Sequence, residues 1–272
     1  MNPLEFITFT PKTNCGECNH PTCLAFAVAV TKGGADPTGC PYLAKEALSA
    51  LRELETGGAG LDKVSRGQDE RDMALVTHLK SKIRDMDFVK VAPLLGVKLQ
   101  GGPPEKLCFN YLGRQIALGK EMVRMAGGDI VDPRDQILLY NYVASGGGES
   151  PSGDWIGMES LPNSISKVRT LATYCEQPLA RRFSGRPKKL EDICRQLDSV
   201  DGSEEHSAAV AVIIPVLPRV PMYVLFWDED TEEGFASRVK ILMDRQVLDF
   251  LDIESLVFAA ERMAERIMEI DS

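Results

Sequence analysis

Histidine is scarce in this chain: His20, His78 and His206 are the only three in 272 residues. None has an evident sequence partner, so catalysis built on imidazole is unsupported. The patterns Gly-x-Ser-x-Gly and His-Glu-x-x-His are both absent, and no strand-like run leads into a dinucleotide-binding glycine fingerprint. Carboxylate-based sites stay open. Excess positive charge is lacking too, since 31 Lys and Arg face 40 Asp and Glu, a formal net charge of -9. That is the wrong sign for a general nucleic-acid binder, so no nucleic acid is expected as a partner. No apolar run approaches the ~18 residues of a membrane span. The opening Met1-Asn2-Pro3-Leu4-Glu5 lacks the charged and apolar regions of a leader. The expectation is a cytoplasmic protein. No long internal period repeats, which argues against a solenoid.

Cysteine is what the chain concentrates. Four of its seven cysteines, Cys15, Cys18, Cys23 and Cys40, fall in the spacing C-x2-C-x4-C-x16-C. Four thiolates gathered by a short loop and one distant return are what a cubane iron–sulfur cluster needs, one sulfur for each iron. The Cys40-Pro41 dipeptide recurs in ferredoxin-type ligation. Structural zinc also accepts four cysteines, but usually as two C-x2-C knuckles, and the second half here offers only Cys40. Disulfides are a third option, favoured in short secreted chains.

The flanks read as helix. Leu24, Ala27 and Val28 have the spacing of one helix face, and Gly33-Gly34 stops it. Such a helix would begin beside the cysteines, where its free N–H groups favour negative charge and can donate to sulfur. Gly16 and Gly39 would let the backbone approach closely, or would merely serve turns. After Pro41, the residues Leu43, Ala47, Leu48, Leu51 and Leu54 predict a second helix, ended by Thr56-Gly57-Gly58-Ala59-Gly60. That glycine run lacks the Gly-Lys-Ser/Thr ending of a phosphate loop and reads as a linker.

Taken together, Cys15-Gly16-x-Cys18-x-x-Pro21-x-Cys23, then Phe26-Ala27, Gly33 and Cys40-Pro41, closely resemble the four-iron four-sulfur module that opens the large subunit of corrinoid iron–sulfur proteins. The stretch is similar, more loosely, to the B subunit of Rnf-type electron-transport complexes. This resemblance is confined to the part before the linker. It implies a [4Fe-4S] cluster held by Cys15, Cys18, Cys23 and Cys40, single electrons at low potential, and a redox partner protein, corrinoid-dependent or another anaerobic redox enzyme. In other respects the chain departs from that family. No Asp-x-His-x-x-Gly cobalamin motif occurs, and the roughly 200 residues left are too few for a cobalamin domain beside a barrel of ~250.

Beyond the linker the chain resembles an uncharacterised domain that accompanies such modules in anaerobes. The likeness rests on Leu139-Tyr140-Asn141-Tyr142, Ser152-Gly153-Asp154-Trp155, Pro218-Arg219-Val220-Pro221 and Phe226-Trp227-Asp228-Glu229-Asp230. Met73, Val76, Leu79, Ile83 and Met86 predict a helix over 69–87. Two apolar segments, 107–110 and 115–118, flank Gly113 and predict a hairpin. Helices are expected over 135–143, 164–174 and 235–248, and from a cap at Asp252 to the end. The runs 208–216 and 221–227 read as strands whose prolines, Pro215, Pro218 and Pro221, place them at a sheet edge or bend them. Glycine-rich 146–153 is a surface connection or a lid. The basic group Arg181, Arg182, Arg186, Lys188 and Lys189 reads as a solvated loop, or as a docking patch for an acidic partner. Asp228 to Glu233 is expected as a solvated turn, and Cys108, Cys175 and Cys194 as small buried hydrophobes.

The expected fold class is therefore α+β: a small helical cluster-binding domain over 1–56, a linker over 57–68, and a mixed α+β domain over 69–272. Function is expected to be one-electron transfer. The alternatives are an enzyme whose C-terminal domain binds a substrate and is fed electrons by the cluster, and a regulatory protein with a structural or sensing cluster.

Overall fold

A computed structural model describes residues 6–31, 35–44, 72–129, 131–202, 207–230 and 232–272. The chain forms two compact units, Met1–Arg71 and Asp72–Ser272. The predicted helix after Pro41 and the linker fall almost wholly outside the described residues, as do Gly33, Gly34 and His206.

In the first unit a single 3-10 turn, Ile7–Phe9, precedes the cysteine loop, and helix α1 spans Cys23–Thr31. The buried face of α1 is Cys23, Phe26, Ala27 and Val30. Leu24 is 44% exposed, which corrects the predicted Leu24/Ala27/Val28 stripe by one position. The aromatic Phe26 decides this, because its ring packs edge-on against Phe6 at 6.1 Å. Phe6, Phe26, Ala27, Val30 and Cys40 make the small core of this unit.

The second unit is mixed α+β. Helix α2 covers 72–83 and buries Val76, Leu79 and Ile83, while Met73 and His78 are exposed. Helix α3 (Phe88–Leu94) leads into a four-stranded antiparallel meander of β1 (Lys98–Gln100), β2 (Lys106–Tyr111), β3 (Arg114–Leu118) and β4 (Val123–Met125). The expected hairpin is β2–β3, with Tyr111 opposite Arg114. Its two turn residues, Leu112 and Gly113, have φ of 47° and 73°, as a two-residue primed turn requires. Gly113 is doubly constrained, since a Cβ there would stand 2.5 Å from the Gln196 carbonyl oxygen.

Helix α4 (Pro133–Ala144) starts on the Asp132 side chain, which accepts from Arg134 N. A five-stranded antiparallel sheet follows, formed by β5 (Trp155–Gly157), β6 (Val200–Asp201), β7 (Val210–Leu217), β8 (Val220–Trp227) and β9 (Arg238–Asp244), in the order β5-β9-β8-β7-β6. Here the proline expectation is only half right. Strands β7 and β8 are central, and their prolines sit at the shared hairpin end, where Pro215 faces Pro221 and the register shifts. A missing N–H is tolerated where the ladder is already interrupted.

The predicted helix over 235–248 is instead β9 and a 3-10 turn, Val247–Asp249. Val239, Ile241 and Met243 point one way and pair through β8, a period of two that overrides the helical spacing. The helix expected over 164–174 runs further. It is built of α5 (Ile165–Leu171), a wide π-helical turn over Ala172–Glu176, and α6 (Gln177–Phe183). Pro178, which has no N–H to give, lies just past the wide turn.

Helix α7 (Pro187–Arg195) follows, so Arg181, Arg182, Lys188 and Lys189 are helical, and Arg186 alone stays in the turn between α6 and α7. Arg182 and Arg186 both reach the Asp271 carboxylate, at 2.6 and 2.5 Å, and pin the end of the last helix. The glycine-rich segment is pinned as well. Asp244 accepts from Gly153 N at 2.7 Å and Asp249 from Glu149 N at 3.2 Å, which fits a connection rather than a lid.

Helix α8 (Ile253–Ile270) packs against α4, α5, α6 and α7. Asp252 caps it by accepting from Ser255 N at 2.8 Å. Asp252→Ala is expected to lower stability by ~1 kcal/mol. Both tryptophans, Trp155 and Trp227, belong to this unit, so a fall in the urea midpoint of their fluorescence reads the loss, and an unchanged midpoint would remove the cap from the account. Among the described residues no helix is long and apolar enough to cross a membrane.

Candidate metal centre

The cysteine loop is shaped by residues that accept left-handed backbone. Asn14, Gly16 and Asn19 have φ of 53°, 78° and 60°, and Asn19 N donates to Gly16 O at 2.9 Å to close a tight turn around Cys18. Gly16 is thus required by conformation, whereas Gly39 has open space around it and no positive φ. Two side chains clasp the loop. Asn14 Oδ1 accepts from Cys23 N at 2.8 Å, and His20 Nδ1 lies 2.9 Å from Cys18 O, with its ring edge-on to Phe26 at 5.4 Å. His20 is therefore occupied as a structural group.

Cys15 is exposed, Cys18 half-buried, Cys23 and Cys40 buried, and no cysteine of the chain forms a disulfide. Cys18 and Cys40 pack against the same small core. Tyr42 sits near Cys15 and Cys40. Its phenol is pushed up, first by its hydrogen bond to Glu17 at 3.2 Å and in part by the charges of those two cysteines. The return at Cys40 thereby comes back to the loop. Asp36 caps the 3-10 turn Pro37–Gly39 that delivers it, accepting from Thr38 N at 2.8 Å. Three cysteines are not drawn to one point, however, and among the described residues no three His, Cys, Asp or Glu side chains form a group that could hold a metal ion. The donor set itself, four free thiols of a soft ligand type, fits an iron–sulfur group.

The helix start differs from expectation. Cys23 N is taken by Asn14, Ala25 N donates to Thr22 Oγ1 at 3.0 Å, and Phe26 N to Thr22 O at 3.0 Å. Side chains therefore already take the Cys23 and Ala25 amides, which were expected to be free for sulfur. The Asn14 bond spans nine residues, so no local pattern pointed to it.

The other cysteines lie in the second unit. Cys175 and Cys194 are fully buried, and burial pushes both thiols up, Cys194 to about 12. Cys108 is not buried as expected but half-exposed on β2, near Gln100 Oε1 at 3.6 Å. The strongest polar cluster there is structural. Asp135 on α4 takes Arg262 of α8 in a two-pronged pair, at 2.7 and 3.1 Å, and accepts from Tyr111 OH at 2.7 Å. Burial first, and then the Asp135 charge, raise the Tyr111 phenol well above its ordinary value and keep it a donor. Burial alone would lower Arg262, but its bonds to Asp135 outweigh that and raise it.

Comparison with known proteins separates the two units. Residues 11–42 match a family model described as "Putative Fe-S cluster". Over 51 residues the chain is 50% identical to the corrinoid/iron-sulfur protein large subunit of Moorella thermoacetica, 19% of this chain and 11% of that protein. It is 48% identical over 56 residues to the acetyl-CoA decarbonylase/synthase complex subunit gamma 2 of Methanosarcina thermophila, 20% of this chain and 12% of that one. With the subunit gamma of Methanopyrus kandleri it shares 35% over 77 residues, 26% and 17%. The chain spans only about an eighth of the length of the first two relatives. No solved structure matches. Residues 87–266, most of the second unit, match the model of a single family, and by that match the chain belongs to the family described as Domain of unknown function (DUF3786).

Proposed function

We propose that Cys15, Cys18, Cys23 and Cys40 hold a [4Fe-4S] cluster, and that the chain carries single electrons to or from a corrinoid-dependent or other anaerobic redox partner in the cytoplasm. The observation that carries this reading is the four-cysteine pattern inside a segment about half identical to a corrinoid/iron-sulfur protein subunit. Bound there, a cubane supplies reversible one-electron chemistry at a potential set by hydrogen bonds and exposure. The chain's own part is to carry the four thiols on the loop and its return, to cover Cys40 with the Phe6–Phe26 core, and to leave Cys15 at the surface as the side open to a partner. The proposed organisation is a cluster domain over 1–56, a linker over 57–68, and the DUF3786 domain after it.

To test this, the anaerobically reduced protein is mixed with an oxidised corrinoid protein, and the corrinoid absorption is followed. Transfer of about one electron per chain is expected. No change at any ratio, with a reducible cluster present, would exclude a corrinoid partner. Exposure of Cys15 also favours a sensing role, in which air destroys the cluster and alters partner binding.

A further inference from the structure

One contact of the cysteine loop has a chemistry of its own. Asn14 stands immediately before Cys15, in the left-handed region that asparagine tolerates better than most residues, and its side chain reaches across the loop to the Cys23 amide. The ring so closed contains Cys15 and Cys18 and ends on Cys23, so one hydrogen bond constrains three of the four cysteines. It also occupies an amide at the head of α1. An N–H donated to a cluster sulfur favours the more negative, reduced form and raises the potential, and an amide already bonded to Asn14 is withheld from that role.

We propose, resting on the cluster assignment above, that Asn14 is a positioning residue with two effects. It shapes the loop before metal arrives, and it holds the Cys23 amide away from sulfur, keeping the potential low. Loss of the acceptor frees the amide and slackens the loop together. Aspartate keeps an oxygen acceptor at the same reach and also tolerates the left-handed backbone.

The test compares the full-length wild type, Asn14→Ala and Asn14→Asp. In metal-free protein, hydrogen exchange at the Cys23 amide is expected to be slow in wild type and Asn14→Asp and fast in Asn14→Ala. In loaded protein, Asn14→Ala is expected to shift the midpoint potential upward and to lose iron faster to a chelator. Asn14→Asp is expected to hold iron as wild type does, at a potential no higher. If Asn14→Ala takes up no cluster, retention by Asn14→Asp supports the role and loss from both contradicts it. Absence of iron and sulfide from the wild type itself removes the cluster assignment and this tuning with it. A loaded wild type, with Asn14→Ala unchanged in exchange and potential, overturns the role of Asn14 alone.

Discussion

Cys18→Ala and Cys23→Ala are each expected to abolish cluster uptake, leaving iron and sulfide near zero after anaerobic purification, while Cys108→Ala keeps the wild-type content. The expectation follows from the shape of the first unit. Its described core is five residues, and Cys40 is one of them. So small a core supplies little stability of its own, and a bound cluster adds to it. Loss of a ligand should therefore empty the first unit and lower its stability, while the Asn14 bond to Cys23 N still shapes the loop. Tryptophan fluorescence offers an internal control, because Trp155 and Trp227 both lie in the second unit and should not change. Full iron stoichiometry in either variant would show that the assigned cysteine is not a ligand.

The second large effect is expected in the second unit. Arg262→Ala should lower the stability of the second unit by about 3–5 kcal/mol, because it leaves Asp135 buried, charged and without its partner. Asp135 is 1% and Arg262 8% exposed, so solvent cannot replace the lost guanidinium. The same carboxylate holds Tyr111 at the end of β2, so this one group ties the meander, α4 and α8 together. Removing both charges, in Asp135→Leu with Arg262→Met, should be far less damaging than the sum of the single losses, since no orphan charge remains. Urea unfolding followed by tryptophan fluorescence measures this. An unchanged midpoint in Arg262→Ala would show that the pair does not stabilise the fold.

How much was legible depended on whether the deciding interaction was local. The C-x2-C-x4-C-x16-C spacing, the β2–β3 turn at Leu112-Gly113 and the Asp252 cap are all encoded within a few neighbouring residues, and each could be read directly. Strand β9 could not. Its apolar residues satisfy helical spacing almost as well as alternation, and pairing with β8 across a turn made the choice. The central placement of β7 and β8 was hidden because prolines mark an edge unless they gather at a hairpin end, which only the register reveals. The basic group was ambiguous for a related reason, since Asp271 lies 85 or more residues from Arg182 and Arg186. At the cysteines the sequence supplied the donors, but the Asn14 clasp and the occupied helix start emerged from side-chain bonds that no spacing rule predicts.

The most direct test of the central claim is anaerobic purification followed by iron and sulfide analysis, with EPR of the dithionite-reduced protein. About four irons and four sulfides per chain, and a signal that appears on reduction, are the predicted result. One zinc and no sulfide would contradict it, and would make the N-terminal unit a structural knuckle with no electron to carry.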